Sequence, residues 1–245
     1  MKKKLSLGSW LTIPHQYVLE VLLIEKKIKW IVIDMEHTSI SISDVEKLIP
    51  IIHSNNKKVY VRISSFSSNE IKKTLDAGAD GIIVPMVKNE EDIKNIINQS
   101  YFPPEGLRSF SFCRASNYGV NFKDYTKKFN KKVKVIPLIE HIDAVNNLDR
   151  MLSQKKIDTI MIGPYDLSGS LGRSGDFSNK RFTNALKIVD RICMKRKVTK
   201  GIHLPKIDNN SFKELLKNNF RFIAYGMDTQ FLIESIKNSF KKINN

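Results

Sequence analysis

Two cysteines, Cys113 and Cys193, are all that 245 residues contain, and they stand far apart. This excludes a disulfide framework and any closely spaced zinc or redox motif, and it fits a reducing, cytoplasmic setting. Glycine is also scarce, with 11 residues, and Gly163, Gly169 and Gly172 are too loosely spaced for a nucleotide fingerprint. No Gly-x-Ser-x-Gly elbow occurs, so a serine hydrolase of that design is not expected. No apolar run approaches the roughly 18 residues that span a bilayer. The start, Lys2-Lys3-Lys4 followed by Leu5 to Ile13, resembles a signal peptide only in outline. Ser, Gly and Thr interrupt its apolar part, and no small-residue cleavage pattern follows.

Negative charge is in short supply. The 25 acidic residues face 41 Lys and Arg, leaving a net charge of +16. A basic domain can be the footprint of nucleic-acid or anionic-membrane binding. Here the lysines fall in short clusters such as Lys26-Lys27, Lys57-Lys58, Lys72-Lys73, Lys127-Lys128 and Lys131-Lys132, at polar positions of helices and their ends. No interleaving of aromatic and basic residues marks a nucleic-acid groove. Neither nucleic acid nor membrane is therefore an expected partner, and a noncatalytic basic binding protein is the alternative from outside enzymology.

Short β-branched runs alternate with amphipathic segments along the whole chain, with no linker or low-complexity tract to divide residues 1–245. Strands are expected at 5–10, 30–34, 59–63, 81–86, 133–139, 159–162, 201–204 and 221–225. Helices are expected at 15–27, 43–55, 69–77, 90–100, 144–154, 182–196, 211–218 and 229–243. Ser43 with Glu46, and Ser68 or Asn69, are the expected helix caps. Eight alternations in one α/β domain of this length point to a single (β/α)8 TIM barrel, whose parallel strands are buried on both faces and read as continuous apolar runs. A doubly wound open sheet is the alternative. Ionisable residues after many different strands favour the barrel, because they would share one mouth. The excursion at 102–130 is too long for a plain connection.

Asp34, Glu36 and His37 follow the second strand within four positions. A carboxylate paired with His37 fixes its tautomer and raises its basicity, as a general base requires, so a pair between Asp34 and His37 is expected if a turn near Glu36 reorients the ring. Arg62 ends the third strand, where it suits a carboxylate or a developing oxyanion. Val133-Lys-Val-Ile-Pro-Leu-Ile-Glu140 and Asp158-Thr-Ile-Met-Ile-Gly-Pro-Tyr-Asp166 each deliver a carboxylate to a strand exit. Alone, each acid reads as readily as a helix cap. Together they match the way Mg²⁺, and also Mn²⁺, is held by one or two carboxylates plus water and substrate oxygens. His15 and His203 lie near strand ends, His53 reads as structural, and His141 has no evident role.

These motifs, with Gly78-Ala-Asp-Gly-Ile-Ile-Val-Pro-Met-Val87, Pro103-Pro-Glu-Gly-Leu-Arg108 and Gly226-Met-Asp-Thr229, resemble the HpcH/HpaI aldolase and citrate lyase family, in order and over nearly the whole chain. The resemblance implies a class II, metal-dependent pyruvate aldolase, similar to 2,4-dihydroxyhept-2-ene-1,7-dioate aldolase, that cleaves a 4-hydroxy-2-oxo acid to pyruvate and an aldehyde. It implies Glu140 and Asp166 as ligands of Mg²⁺, or of Mn²⁺ or Co²⁺. It implies His37 with Asp34 as the acid/base dyad and Arg62 as the enolate-stabilising group. Gly163, Tyr165, Leu138 and Leu204 would contact substrate, with the backbone from Gly163 to Asp166 receiving the carboxylate. A homo-oligomer, hexamer or trimer, that exchanges helices is implied as well. Two positions depart from the family: Leu138 replaces a frequent Gln and Tyr165 a small residue. They leave room for another oxo acid, or for another lyase or a decarboxylase on the same scaffold.

Overall fold

Eight parallel strands, each hydrogen-bonded to the next and β8 back to β1, close a barrel. The structure is a computed structural model that describes residues 4–206, 208–241 and 243; Lys2 and Lys3 of the lysine-led start lie outside them. The strands are β1 (Ser6–Leu11), β2 (Trp30–Asp34), β3 (Lys58–Arg62), β4 (Gly81–Val84), β5 (Lys134–Ile139), β6 (Thr159–Ile162), β7 (Thr199–Leu204) and β8 (Phe220–Met227). The helices are α1 (Gln16–Leu23), α2 (Ile42–Ser54), α3 (Ser68–Asp76), α4 (Glu90–Ser100), α5 (Phe122–Lys132), α6 (Ile142–Met151), α7 (Pro164–Ser170), α8 (Lys180–Arg196), α9 (Asn209–Lys217) and α10 (Asp228–Phe240). The open-sheet alternative fails on the β8 to β1 pairing.

Strand alternation sorts the side chains into two cores. Trp10, Trp30, Val32, Tyr60, Ile83, Ile136, Leu138, Met161, Phe222 and Ala224 fill the barrel, with Trp30 stacked on Phe222 at 3.9 Å between ring centres. Gly8 is required in that layer, because a Cβ there would meet the Trp30 ring at 2.1 Å. The other strand face, with Ile31, Ile33, Val61, Ile139, Ile160 and Ile162, packs against the helices.

The expected caps are displaced. α2 starts on a capping box between Ser41 and Asp44, and α3 on Ser67, one position before the expected Ser68. The short helix α7 was not expected. Its strand-ending Gly163-Pro164 places proline at the first helical position, where the missing N–H costs nothing.

The excursion contains a 3-10 helix (Arg114–Gly119) and α5. Arg108 is buried there, paired with Asp76 at 2.5 Å and lying over the rings of Phe102 and Phe129, so its work is structural. Arg114 lines a cavity of about 530 Å³ with His53, Asp80, Asp124 and Lys128. Asp80 precedes β4 and pairs with Lys58 at the start of β3, so this cavity lies at the N-terminal end of the barrel, away from the strand exits.

Candidate active site

At the strand exits the inward positions change from apolar to ionisable. Continuing each strand's alternation upward gives Asp34 above Val32, Arg62 above Tyr60, Glu140 above Leu138 and Gly163 above Met161. Asp34 and Arg62 stand directly opposite in the parallel register. The guanidinium grips both carboxylate oxygens, through Nε at 2.8 Å and an Nη at 2.5 Å, the bidentate geometry that suits arginine. The other Nη lies 3.0 Å from Glu36 Oε2.

This arrangement corrects the expected pair of Asp34 with His37. Asp34 Oδ1 accepts backbone N–H bonds from Glu36 at 3.0 Å and His37 at 3.4 Å, so the turn forms, but the His37 ring points outward. The ring is 67% exposed, with Nε2 3.7 Å from Glu36 Oε2. The fork of Arg62 occupies the carboxylate that the imidazole would have needed. Burial raises the Asp34 pKa, but the hydrogen bonds and charge of Arg62, with help from Trp10 and the Glu36 N–H, outweigh it and hold the carboxyl below its usual range.

Glu140 is 4% exposed. One oxygen accepts the Met86 backbone N–H at 2.5 Å. Met86 adopts φ 54°, a left-handed conformation that costs a non-glycine residue about 1–2 kcal/mol, and its N–H is spent on this acid. The other oxygen lies where Gly163 leaves room, since a Cβ on Gly163 would meet it at 2.9 Å. Burial lifts the Glu140 pKa to about 7 against the Met86 N–H, and the negative charges of Glu36 and Asp166 add to the rise. Glu36 is raised too, by burial first and by Asp34 and Asp166, against the opposing charges of Arg62 and His37.

Glu36, Glu140 and Asp166 therefore repel one another around a mouth in which Arg62 already serves Asp34. Asp166 sits exposed in the first turn of α7. Among the described residues no group of three or more His, Cys, Asp or Glu side chains is arranged to hold a metal ion. The fit is to an oxygen-seeking divalent cation that takes one or two carboxylates and completes its shell with water and substrate. The glycine cradle and the excess negative charge meet that requirement.

A profile of the HpcH/HpaI aldolase/citrate lyase family matches residues 7–235. The chain belongs to this family. The 4-hydroxy-2-oxo-heptane-1,7-dioate aldolase of Salmonella dublin is 30% identical over 228 residues, 92% of this chain and 85% of the relative. The hydroxypyruvate/pyruvate aldolase of Roseovarius nubinhibens is 25% identical over 240 residues, 97% and 92% of the two chains. A crystal structure of a family protein from Burkholderia cenocepacia superposes with a TM-score of 0.92 at 25% identity, covering 99% of this chain and 95% of that one. Membership makes the protein a carbon–carbon lyase.

Against the family expectation, Leu138 faces the barrel interior, 3.7 Å from where a Gly163 Cβ would stand. Tyr165 is exposed and meets the Phe177 ring edge-on at 5.1 Å. Leu204 is corrected. It pairs with Tyr225, whose ring packs on Phe212 of α9, so β7 turns Leu204 to the helix side and His203 inward. Sequence reasoning also gave no role to Trp10, which helps to lower the Asp34 pKa and lies 5.0 Å from the Arg62 guanidinium. Its inward position on β1 was the available signal.

Proposed function

We propose that this mouth performs a class II aldolase reaction, cleaving the C3–C4 bond of a 4-hydroxy-2-oxo acid to give pyruvate and an aldehyde. The observation that carries it is the buried Glu140 beside Asp166, with the Asp34–Arg62 pair on the adjoining strands. Glu140 and Asp166 would hold the divalent cation, Mg²⁺ with Mn²⁺ or Co²⁺ as alternatives. When bound, that ion supplies Lewis-acid polarisation of the 2-oxo acid. Arg62, locked by Asp34, offsets negative charge on the substrate oxygen as the bond breaks. His37, at the exposed rim, takes the proton from the C4 hydroxyl. The backbone at the start of α7 receives the carboxylate, and Leu138, Tyr165 and Phe177 give the pocket apolar walls.

The assay is pyruvate release by purified protein from 4-hydroxy-2-oxo acids. His37→Ala is expected to lower kcat by about 10²–10⁴ while metal affinity, measured by calorimetry, stays within about twofold. Equal losses of both would make His37 a ligand instead. Metal affinity should also fall with acidity. Glu140 must be deprotonated to bind, so below about pH 7 the apparent dissociation constant is expected to rise roughly tenfold per pH unit. A constant affinity from pH 8 to 5 would remove Glu140 from the ligand set.

The site works within a homo-oligomer in the cytosol. No apolar side chain of α10 is buried, and Leu232, Ile233, Ile236 and Phe240 are all exposed on this single chain. Such a face calls for a partner. A second copy covers it, and Leu232→Lys with Ile236→Lys is expected to shift the mass in light scattering to that of the monomer. Among the described residues no helix is long and apolar enough to cross a membrane. Neither Cys113 nor Cys193 is in a disulfide.

A further inference from the structure

Of the five histidines, three serve the scaffold. His15 and His141 cap α1 and α6 by accepting backbone N–H bonds, and His53 pairs with Asp80. His37 stands at the rim. His203 has no such duty. It points inward from β7 opposite Ala224 of the barrel core, and its ring stacks on Trp10 at 4.5 Å between centres and 10° between planes. The Gly226 backbone lies beside the ring and opposes the effect of burial on its pKa. The ring's Nε2 is buried and has no hydrogen-bond partner.

In the tautomer that sets Nδ1–H toward the Gly226 backbone, Nε2 presents a lone pair. Burial keeps the ring neutral, with the pKa pushed down to about 4 and the Arg62 charge acting in the same direction. A buried acceptor without a donor is costly, and a ligand hydroxyl would relieve that cost. Trp10 joins this acceptor to the catalytic pair, for the same ring stacks on His203, lies 5.0 Å from the Arg62 guanidinium and helps to lower the Asp34 pKa.

We propose that His203 is a specificity-determining residue whose Nε2 accepts a hydrogen bond from a hydroxyl on C3 of the 2-oxo acid, so that the site favours a hydroxylated oxo acid over plain pyruvate as the half it holds. This rests on the aldolase reading. Depth assigns the hydroxyl to that half: Nε2 is buried on a ring stacked against Trp10, which in turn meets Arg62, whereas His37, proposed to serve the departing aldehyde, is 67% exposed. A site with a fixed hydrogen-bond partner discriminates against the analogue that lacks it more strongly than an apolar pocket does.

The test compares hydroxypyruvate with pyruvate, both in Mg²⁺-dependent condensation with one aldehyde and in equilibrium binding by calorimetry. The variant is His203→Phe, which keeps an aromatic ring on Trp10 and removes the acceptor. The wild type should prefer hydroxypyruvate, and the variant should lose roughly 10–100-fold of that preference in both readouts, with pyruvate itself little affected. His203→Gln, which restores an acceptor, should recover part of it. His203→Leu serves if the Phe variant does not fold, with the same loss expected. A wild type without the preference, or an apolar variant that retains it or weakens both acids equally, overturns the proposal. A wild type that binds hydroxypyruvate through His203 yet forms no carbon–carbon bond overturns the aldolase reading alone.

Discussion

Glu140→Gln should abolish metal-dependent turnover, by roughly 10³-fold or more, while making the metal-free protein more stable at pH 8. The two effects have one cause. Glu140 is buried and shares its surroundings with Glu36 and Asp166, so its pKa rises from 4.5 to about 7 in the fold. Between those values the folded state binds more protons than the unfolded chain, and stability falls as pH rises. Above about pH 7 the full cost is present, on the order of 3 kcal/mol. An amide of the same shape removes it. Thermal melts of the metal-free proteins should therefore diverge from pH 5 to pH 8, with the variant more stable at the upper end and the two equal near pH 4. Equal melting temperatures across that range would mean that Glu140 has a compensating partner. A structural acid would give the opposite sign, because losing it would weaken the fold at neutral pH.

Arg62→Met carries the second large effect. Removing the guanidinium should lower kcat by about 10²–10³, as loss of one oxyanion-stabilising donor does. It also strands Asp34, 2% exposed, as a buried carboxylate without its partner, a change worth about 3–5 kcal/mol of stability. Arg62→Lys should keep a positive charge but not the fork, and is expected to recover stability more than rate, since the two-oxygen grip on Asp34 orients the group. Kinetics and melts of both variants decide this. A lysine variant with full activity would show that charge alone matters at this position. Metal affinity should be little changed in either, because Arg62 contacts acids other than the two ligands.

Much of the barrel is legible before folding, for a physical reason. β2 and β6 match their expected limits at Trp30–Asp34 and Thr159–Ile162, because strands buried on both faces leave uninterrupted apolar runs ended by an acid or by Gly-Pro. α4, at Glu90–Ser100, is equally plain from its acidic first turn. Helix starts are less so. Ser41, Ser43, Ser67 and Ser68 are all competent caps, and only the backbone geometry selects Ser41 and Ser67.

The site divides along the same line. That Asp34, His37, Arg62, Glu140 and Asp166 lie at strand exits follows from the strand pattern. Which of them touch does not. Asp34 and His37 are three residues apart and invite pairing, but strand register brings Arg62 directly opposite Asp34. Leu204 and His203 are neighbours in sequence, and one step of alternation decides which faces the interior. The left-handed Met86, which turns its N–H onto Glu140, had no local signal in the sequence because neither glycine nor asparagine marks it.

The central claim, that Glu140 and Asp166 hold a divalent ion required for aldol cleavage, is tested most directly by stripping the protein with a strong chelator. Pyruvate release from a 4-hydroxy-2-oxo acid is then followed as Mg²⁺, Mn²⁺ or Co²⁺ is returned. The stripped wild type should be inactive and should recover with added ion, and Glu140→Gln should stay inactive at every metal concentration. Undiminished pyruvate release after stripping, or full activity in Glu140→Gln, would contradict the account.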